Sequence, residues 1–134
     1  MKRIDHIAVA VSSLEEALPF YQESLGLALI GIETVAEQGV RTAKLDAGNT
    51  HIELLEPLSP ESPVGKFIAQ RGQGLHHICF AIDDINAGLE SLQSAGVKLI
   101  DREARVGAGG ARIAFVHPKA TGGVLVELSQ DKDS

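Results

Sequence analysis

Asp5-His6-Ile7-Ala8-Val9-Ala10-Val11 near the start is echoed in mid-chain by His76-His77-Ile78-Cys79-Phe80-Ala81-Ile82. Each stretch is followed, roughly fifty residues later, by an apolar segment carrying a carboxylate: Thr50-His51-Ile52-Glu53-Leu54-Leu55 and Leu125-Val126-Glu127-Leu128-Ser129. His6 thus pairs with His77 and Glu53 with Glu127, at a period of about 71–74 residues. Imidazoles and carboxylates embedded in apolar strands are costly unless a cation receives them. One His and one Glu per copy supply four ligands to a single divalent metal: His6, Glu53, His77 and Glu127.

Alternation within the two histidine stretches gives each a small face and a branched face. His6, Ala8 and Ala10 share one face, while Ile7, Val9 and Val11 share the other. In the repeat, His77, Cys79 and Ala81 oppose Ile78, Phe80 and Ile82. The branched face suits a covering helix, so the histidine face looks inward to a concave space. His76 alternates away and falls outside the ligand set. His51 shares the face of Glu53 and lines the pocket without binding metal. Cys79 is read as a small inward filler rather than a ligand.

Outward from these strands, the order strand-helix-strand-strand-strand is expected twice. A helix follows the first strand, capped by Ser12 or Ser13, with Leu14, Leu18, Tyr21 and Leu25 on one stripe. Pro19 removes the bond to the carbonyl of Glu15, which predicts a kink or a late start, and Gly26 ends the helix. Strands are expected near 28–36, 40–47 and 50–56. Pro57, Pro60 and Pro63 mark a linker, 58–73, with a short helix over about 63–71. The second copy predicts a strand over 75–82, then a helix over 85–94 capped by Asp83 or Asp84. Strands near 97–101, 111–117 and 122–129 complete it. The Gly107–Gly110 stretch lacks the spacing and the Lys-Ser/Thr of a nucleotide loop, and reads as a flexible rim loop. The expected organisation is a single domain, 1–134, with modules at 1–57 and 74–130.

The totals restrict the function classes. The chain has 134 residues and a formal charge of −6, which disfavours bulk nucleic-acid binding. No apolar run reaches the roughly 18 residues of a membrane span, and the first residues enter a strand at once, so neither an anchor nor a signal peptide is expected. A single cysteine suits a reducing cytoplasm. Two imidazoles and two carboxylates suit Co(II), Mn(II), Ni(II), Zn(II) or Mg(II). Four protein ligands on an octahedral ion leave two cis positions for two oxygens of one substrate.

The His and Glu strands resemble those of the vicinal-oxygen-chelate superfamily. The connecting segments resemble its methylmalonyl-CoA epimerase family: Glu37-Gln38-Gly39-Val40, Glu53-Leu54-Leu55-Glu56-Pro57-Leu58, Gly74-Leu75-His76-His77-Ile78, Phe115-Val116-His117-Pro118-Lys119 and Gly122-Gly123-Val124-Leu125-Val126-Glu127-Leu128. The resemblance implies an α+β fold, tandem βαβββ modules forming one eight-stranded open cup around a metal site. It implies His6, Glu53, His77 and Glu127 as ligands, and a homodimer acting on a small-molecule CoA thioester. The implied reaction interconverts (2R)- and (2S)-methylmalonyl-CoA by proton transfer at C2. Some bacterial members of that family place a proton-transferring Glu three residues after the Gly of Glu-Gln-Gly-Val. Thr42 stands there in this chain and cannot be the base, so Glu127 is the candidate for a double role as ligand and catalytic base. Lys119 and Arg112 are candidate cations for the CoA phosphates.

Two rival readings use the same scaffold. A glyoxalase-type isomerase acting on a glutathione hemithioacetal needs the same ligands and the same enolate chemistry. A non-catalytic antibiotic-binding protein is disfavoured by the complete ligand set. An extradiol dioxygenase usually needs three ligands, which leaves Glu53 unexplained.

Overall fold

The computed structural model describes residues 1–132; the last two positions of the expected domain lie outside the described residues. The described strands are β1 (Arg3–Ala10), β2 (Ala28–Val35), β3 (Val40–Asp46), β4 (His51–Pro57), β5 (Gly74–Ala81), β6 (Arg105–Val106), β7 (Arg112–Val116) and β8 (Leu125–Gln130). The helices are α1 (Leu14–Pro19), α2 (Pro63–Arg71), α3 (Ile85–Ser94) and the single turn α4 (Pro118–Thr121). The fold is α+β, with an eight-stranded mixed sheet to which each half gives four strands, in the orders β2-β3-β4-β1 and β5-β8-β7-β6. In each half the first strand pairs in parallel with the last, and the remaining pairs are antiparallel. The backbone divides into two compact units, residues 6–76 and residues 1–5 with 77 onward.

In the 6–76 unit both sheet faces carry apolar clusters. Val11, Leu14, Ala43, Leu45 and Leu54 pack with Ala17, Leu18 and Tyr21 beneath α1. Ala8, Ala10, Val40 and Leu55 pack with Val64, Phe67 and Ile68 of α2 on the histidine face. Ser13 caps α1 by accepting from the Glu16 N–H. Glu56 on β4 anchors the same end, accepting from the Leu14 N–H at 2.9 Å and from Arg41 at 3.0 Å. Pro19 does not stop the chain's helical path. The segment widens after it into a π-turn over Phe20–Ser24, closed by the Leu25 N–H donating to the Phe20 carbonyl at 2.9 Å. The linker helix α2 sits close on its own approach: a Cβ at Gly65 would lie 2.4 Å from the Ser59 carbonyl oxygen.

In the other unit α3 covers Ala114, Val116 and Leu128 through Ile85 and Leu89. Asp84 caps α3, accepting from the Ala87 N–H at 3.1 Å. The first residues are tied here, with the Lys2 N–H donating to the Ala81 carbonyl at 2.9 Å and the Lys2 ammonium 3.2 Å from Asp83. The strand expected near 97–101 does not form; Leu99 makes one isolated bridge to Val116. Val97 and Leu99 are used as packing under α3. The Ile100 and Asp101 N–H groups both donate to the Phe115 carbonyl, and the Asp101 carboxylate accepts from the Phe115 N–H. The segment therefore crosses β7 at one point, and the short β6 fills the edge position. No helix among the described residues is long and apolar enough to cross a membrane.

Candidate metal and active site

The two halves place their glutamates by the same register. On the parallel β1–β4 ladder Glu53 lies opposite Ala8, two residues beyond His6; on β5–β8 Glu127 lies opposite Cys79, two residues beyond His77. Strand alternation then puts each glutamate on the face of its histidine. The outcome is two close pairs. His6 Nδ1 lies 3.3 Å from Glu53 Oε2, and His77 Nε2 lies 2.9 Å from Glu127 Oε1. The four side chains are between 7% and 13% exposed.

Stability alone gives little reason for such pairs. Burying an ion pair is about as stable as a well-packed apolar substitute, whereas removing one partner costs about 3–5 kcal/mol. The spacing suits another task. Two donors about 2.1 Å from a common ion lie about 3.0 Å apart at a right angle and about 3.4 Å apart at the tetrahedral angle. The 2.9 Å pair lies close to the right-angle value and the 3.3 Å pair close to the tetrahedral one. Each pair brings one imidazole nitrogen and one carboxylate oxygen, a donor set for the divalent ions expected above.

The neighbours of the two pairs differ. In the 77-onward unit Phe115 lies across from Glu127 on the β7–β8 ladder. Its ring meets the His77 imidazole edge-on, with centroids 5.6 Å apart, and the Arg105 guanidinium lies 5.5 Å over its centroid. In the 6–76 unit the position across from Glu53 is Lys44, with Thr42 one pleat further along. Thr42 is 7% exposed, and its hydroxyl donates a long bond, 3.4 Å, to the Glu33 carbonyl. His51 lies across from His6 and Asp46. His76 stacks edge-on against Phe67 of α2 at 4.8 Å. Cys79 is fully buried.

Arg112 shares the α3 face of β7 with Ala114 and Val116, and its guanidinium donates to Asn86 at 3.1 Å. Lys119 lies on α4, where its backbone N–H donates to His117 Nδ1 at 3.0 Å. Burial pushes the His117 imidazole below its ordinary value, and Lys98 and Lys119 add to the shift. The roles of Phe115 and Asp101 beside His77 were not read from sequence. The alternation of β7 places Phe115 on the Glu127 face, but only the ladder register shows what it touches.

A strand pairing that repeats in both halves, with one His–Glu pair in each, defines a class. The chain belongs to the glyoxalase/bleomycin resistance protein/dioxygenase superfamily, whose family profile matches residues 5–115. Within it, the chain is 40% identical to the mitochondrial methylmalonyl-CoA epimerase of Homo sapiens, over 96% of this chain and 73% of the human protein. It is 48% identical to the uncharacterized protein YqjC of Bacillus subtilis (strain 168), over 98% of this chain and 94% of that protein. A solved methylmalonyl-CoA epimerase in complex with methylmalonyl-CoA and NH4+ is similar with a TM-score of 0.92 and 39% identity, covering 98% of this chain and 96% of that one.

Proposed function

We propose that this protein is a methylmalonyl-CoA epimerase, interconverting the 2R and 2S thioesters by proton transfer at C2. The observation that carries the reading is the paired His6–Glu53 and His77–Glu127 contacts at one repeated register, in a chain similar to epimerases over nearly its whole length. His6, Glu53, His77 and Glu127 would hold one divalent ion, of the set Co, Mn, Ni, Zn or Mg. When bound, the ion supplies Lewis-acid polarisation of the substrate carboxylate and thioester oxygens.

The chain's own residues carry the proton. Glu127 is the base that takes it from C2, and the carbanion so formed is delocalised into the thioester as an enolate. A proton supplied by solvent on the opposite side inverts the centre, and Glu127 returns its own to solvent. Phe115 keeps His77 in place beside Glu127 and limits water at the imidazole. Thr42 takes no proton. Lys119 and Arg112 are proposed to meet the CoA phosphates outside the catalytic centre. The working form is a homodimer in the cytoplasm, in keeping with the exposed Ile30 and Ile32 of the edge strand β2 and the lone Cys79.

The test is proton NMR of (2S)-methylmalonyl-CoA in deuterated water with the Co(II)-loaded protein. Deuterium entering C2 with inversion supports the reading. Turnover of a glutathione hemithioacetal without C2 exchange in methylmalonyl-CoA would establish the glyoxalase alternative instead.

A further inference from the structure

We propose that Lys44 is the anion anchor of the site: its ammonium receives the α-carboxylate of the thioester and so selects malonyl-type substrates. The inference rests on the functional reading above and deepens it.

Lys44 is the direct cross-strand partner of Glu53. Side chains so placed have Cβ atoms about 4.5–5.5 Å apart on the same face. The lysine stem therefore reaches the region of the His6–Glu53 pair while its ammonium extends beyond it. Among the strands of the 6–76 unit, Arg3 and Arg41 alternate to the opposite face, and Arg41 is occupied by Glu56 and Glu15. Lys44 is the one Lys or Arg that β1 to β4 present on the histidine face. The same face carries Glu33, Asp46 and Glu53 by register. An anionic substrate approaching three carboxylates needs a cation, and this is where one stands.

Comparison of the two halves sharpens the point. The position across from Glu127 is Phe115, an aromatic that packs on its histidine. The position across from Glu53 is a lysine, so packing alone does not set the residue there. The other flank of Lys44 is Gly31, and a Cβ built on Gly31 meets nothing within 4 Å. Lys44 is thus flanked across the strands by open space at Gly31 on one side and by Glu53 on the other. An α-carboxylate offers two oxygens, either of which can accept from the Lys44 ammonium. A neutral acyl thioester has no such oxygen.

The experiment is isothermal titration of Co(II)-loaded protein with malonyl-CoA and, separately, propionyl-CoA. The CoA portion is common to both, so the ratio of the two affinities reads the acyl carboxylate. The wild type favours malonyl-CoA. Lys44→Met weakens malonyl-CoA binding by about tenfold or more, the scale of one charge-assisted hydrogen bond, and leaves propionyl-CoA unchanged. Lys44→Arg keeps most of the preference. Gly31→Leu fills the open flank without altering any charge and lowers the preference in the same direction. A malonyl-CoA preference preserved in both Lys44→Met and Gly31→Leu overturns the assignment and leaves Lys44 as a partner of Glu53 alone. A wild type that binds neither ester overturns the functional reading and the anchor together.

Discussion

Phe115 sets its ring edge against the imidazole of His77, with interplanar angle 88° and centroids 5.6 Å apart. The backbone N–H of Phe115 is itself fixed by the Asp101 carboxylate at 2.9 Å. The aromatic contact thus joins a metal-type donor to a segment that forms no strand of its own.

Phe115→Leu keeps most of the apolar volume and loses the aromatic edge. The expected loss is about 0.5–1.5 kcal/mol in stability, read by chemical denaturation. Co(II) affinity should fall by about tenfold, since outer groups that orient a ligand histidine have effects of that size. An unchanged Co(II) titration would reduce the contact to packing.

Glu127→Gln separates holding from proton transfer. The amide oxygen still faces His77 and can still bind an ion, but it cannot accept the C2 proton. Exchange at C2 should vanish in protein that retains metal by elemental analysis. Near-normal exchange in metal-loaded Glu127→Gln would remove Glu127 as the base.

Thr42→Val tests the position where some related enzymes carry a glutamate. The hydroxyl gives only a long bond to the Glu33 carbonyl, and valine matches its shape. Turnover should fall by less than about tenfold, or about 1.4 kcal/mol. A loss of a hundredfold would show that the hydroxyl takes part in the chemistry.

His117 predicts a pH dependence that leaves the pairs untouched. Its Nδ1 caps α4 by accepting from the Lys119 N–H, which requires an unprotonated Nδ1. Burial, then Lys98 and Lys119, hold the imidazole below its ordinary value of about 6.5. The unfolded chain therefore binds the proton more readily. The stabilisation is fully present above about pH 6.5 and is lost as pH falls through the folded value. His117→Asn keeps an acceptor without the titration, so its stability should decline less than the wild type's between pH 7.5 and 5.5. Parallel declines in denaturation would assign the pH response elsewhere.

Much of this arrangement is legible in the chain because its cause is local. The alternation around His6 and His77 fixes which residues share a face, and the parallel ladders then set each glutamate opposite the residue two beyond its histidine. Asp84 and the apolar stripe of Ile85 and Leu89 define α3 to the residue. The departures have non-local causes. Val97 and Leu99 alternate as a strand would, yet they serve as packing beneath α3 while Phe115 takes the hydrogen bonds at 100 and 101. Pro19 forbids one bond but leaves open how the helix accommodates it, here by a π-turn. Alternation puts Lys44 on the face of Thr42, but only the β3–β4 register sets it across from Glu53.

Residues 1–5 belong with the unit that begins at His77, held there by the bond from Lys2 to Ala81 and the ion pair to Asp83. During synthesis these residues precede the whole of the 6–76 segment, which can close on its own contacts while they wait. Their partners, Ala81 and Asp83, are made only after that segment. The second unit is thus assembled across a long sequence separation, and a nascent chain halted before Ala81 would hold the 6–76 segment complete while residues 1–5 still lacked these partners.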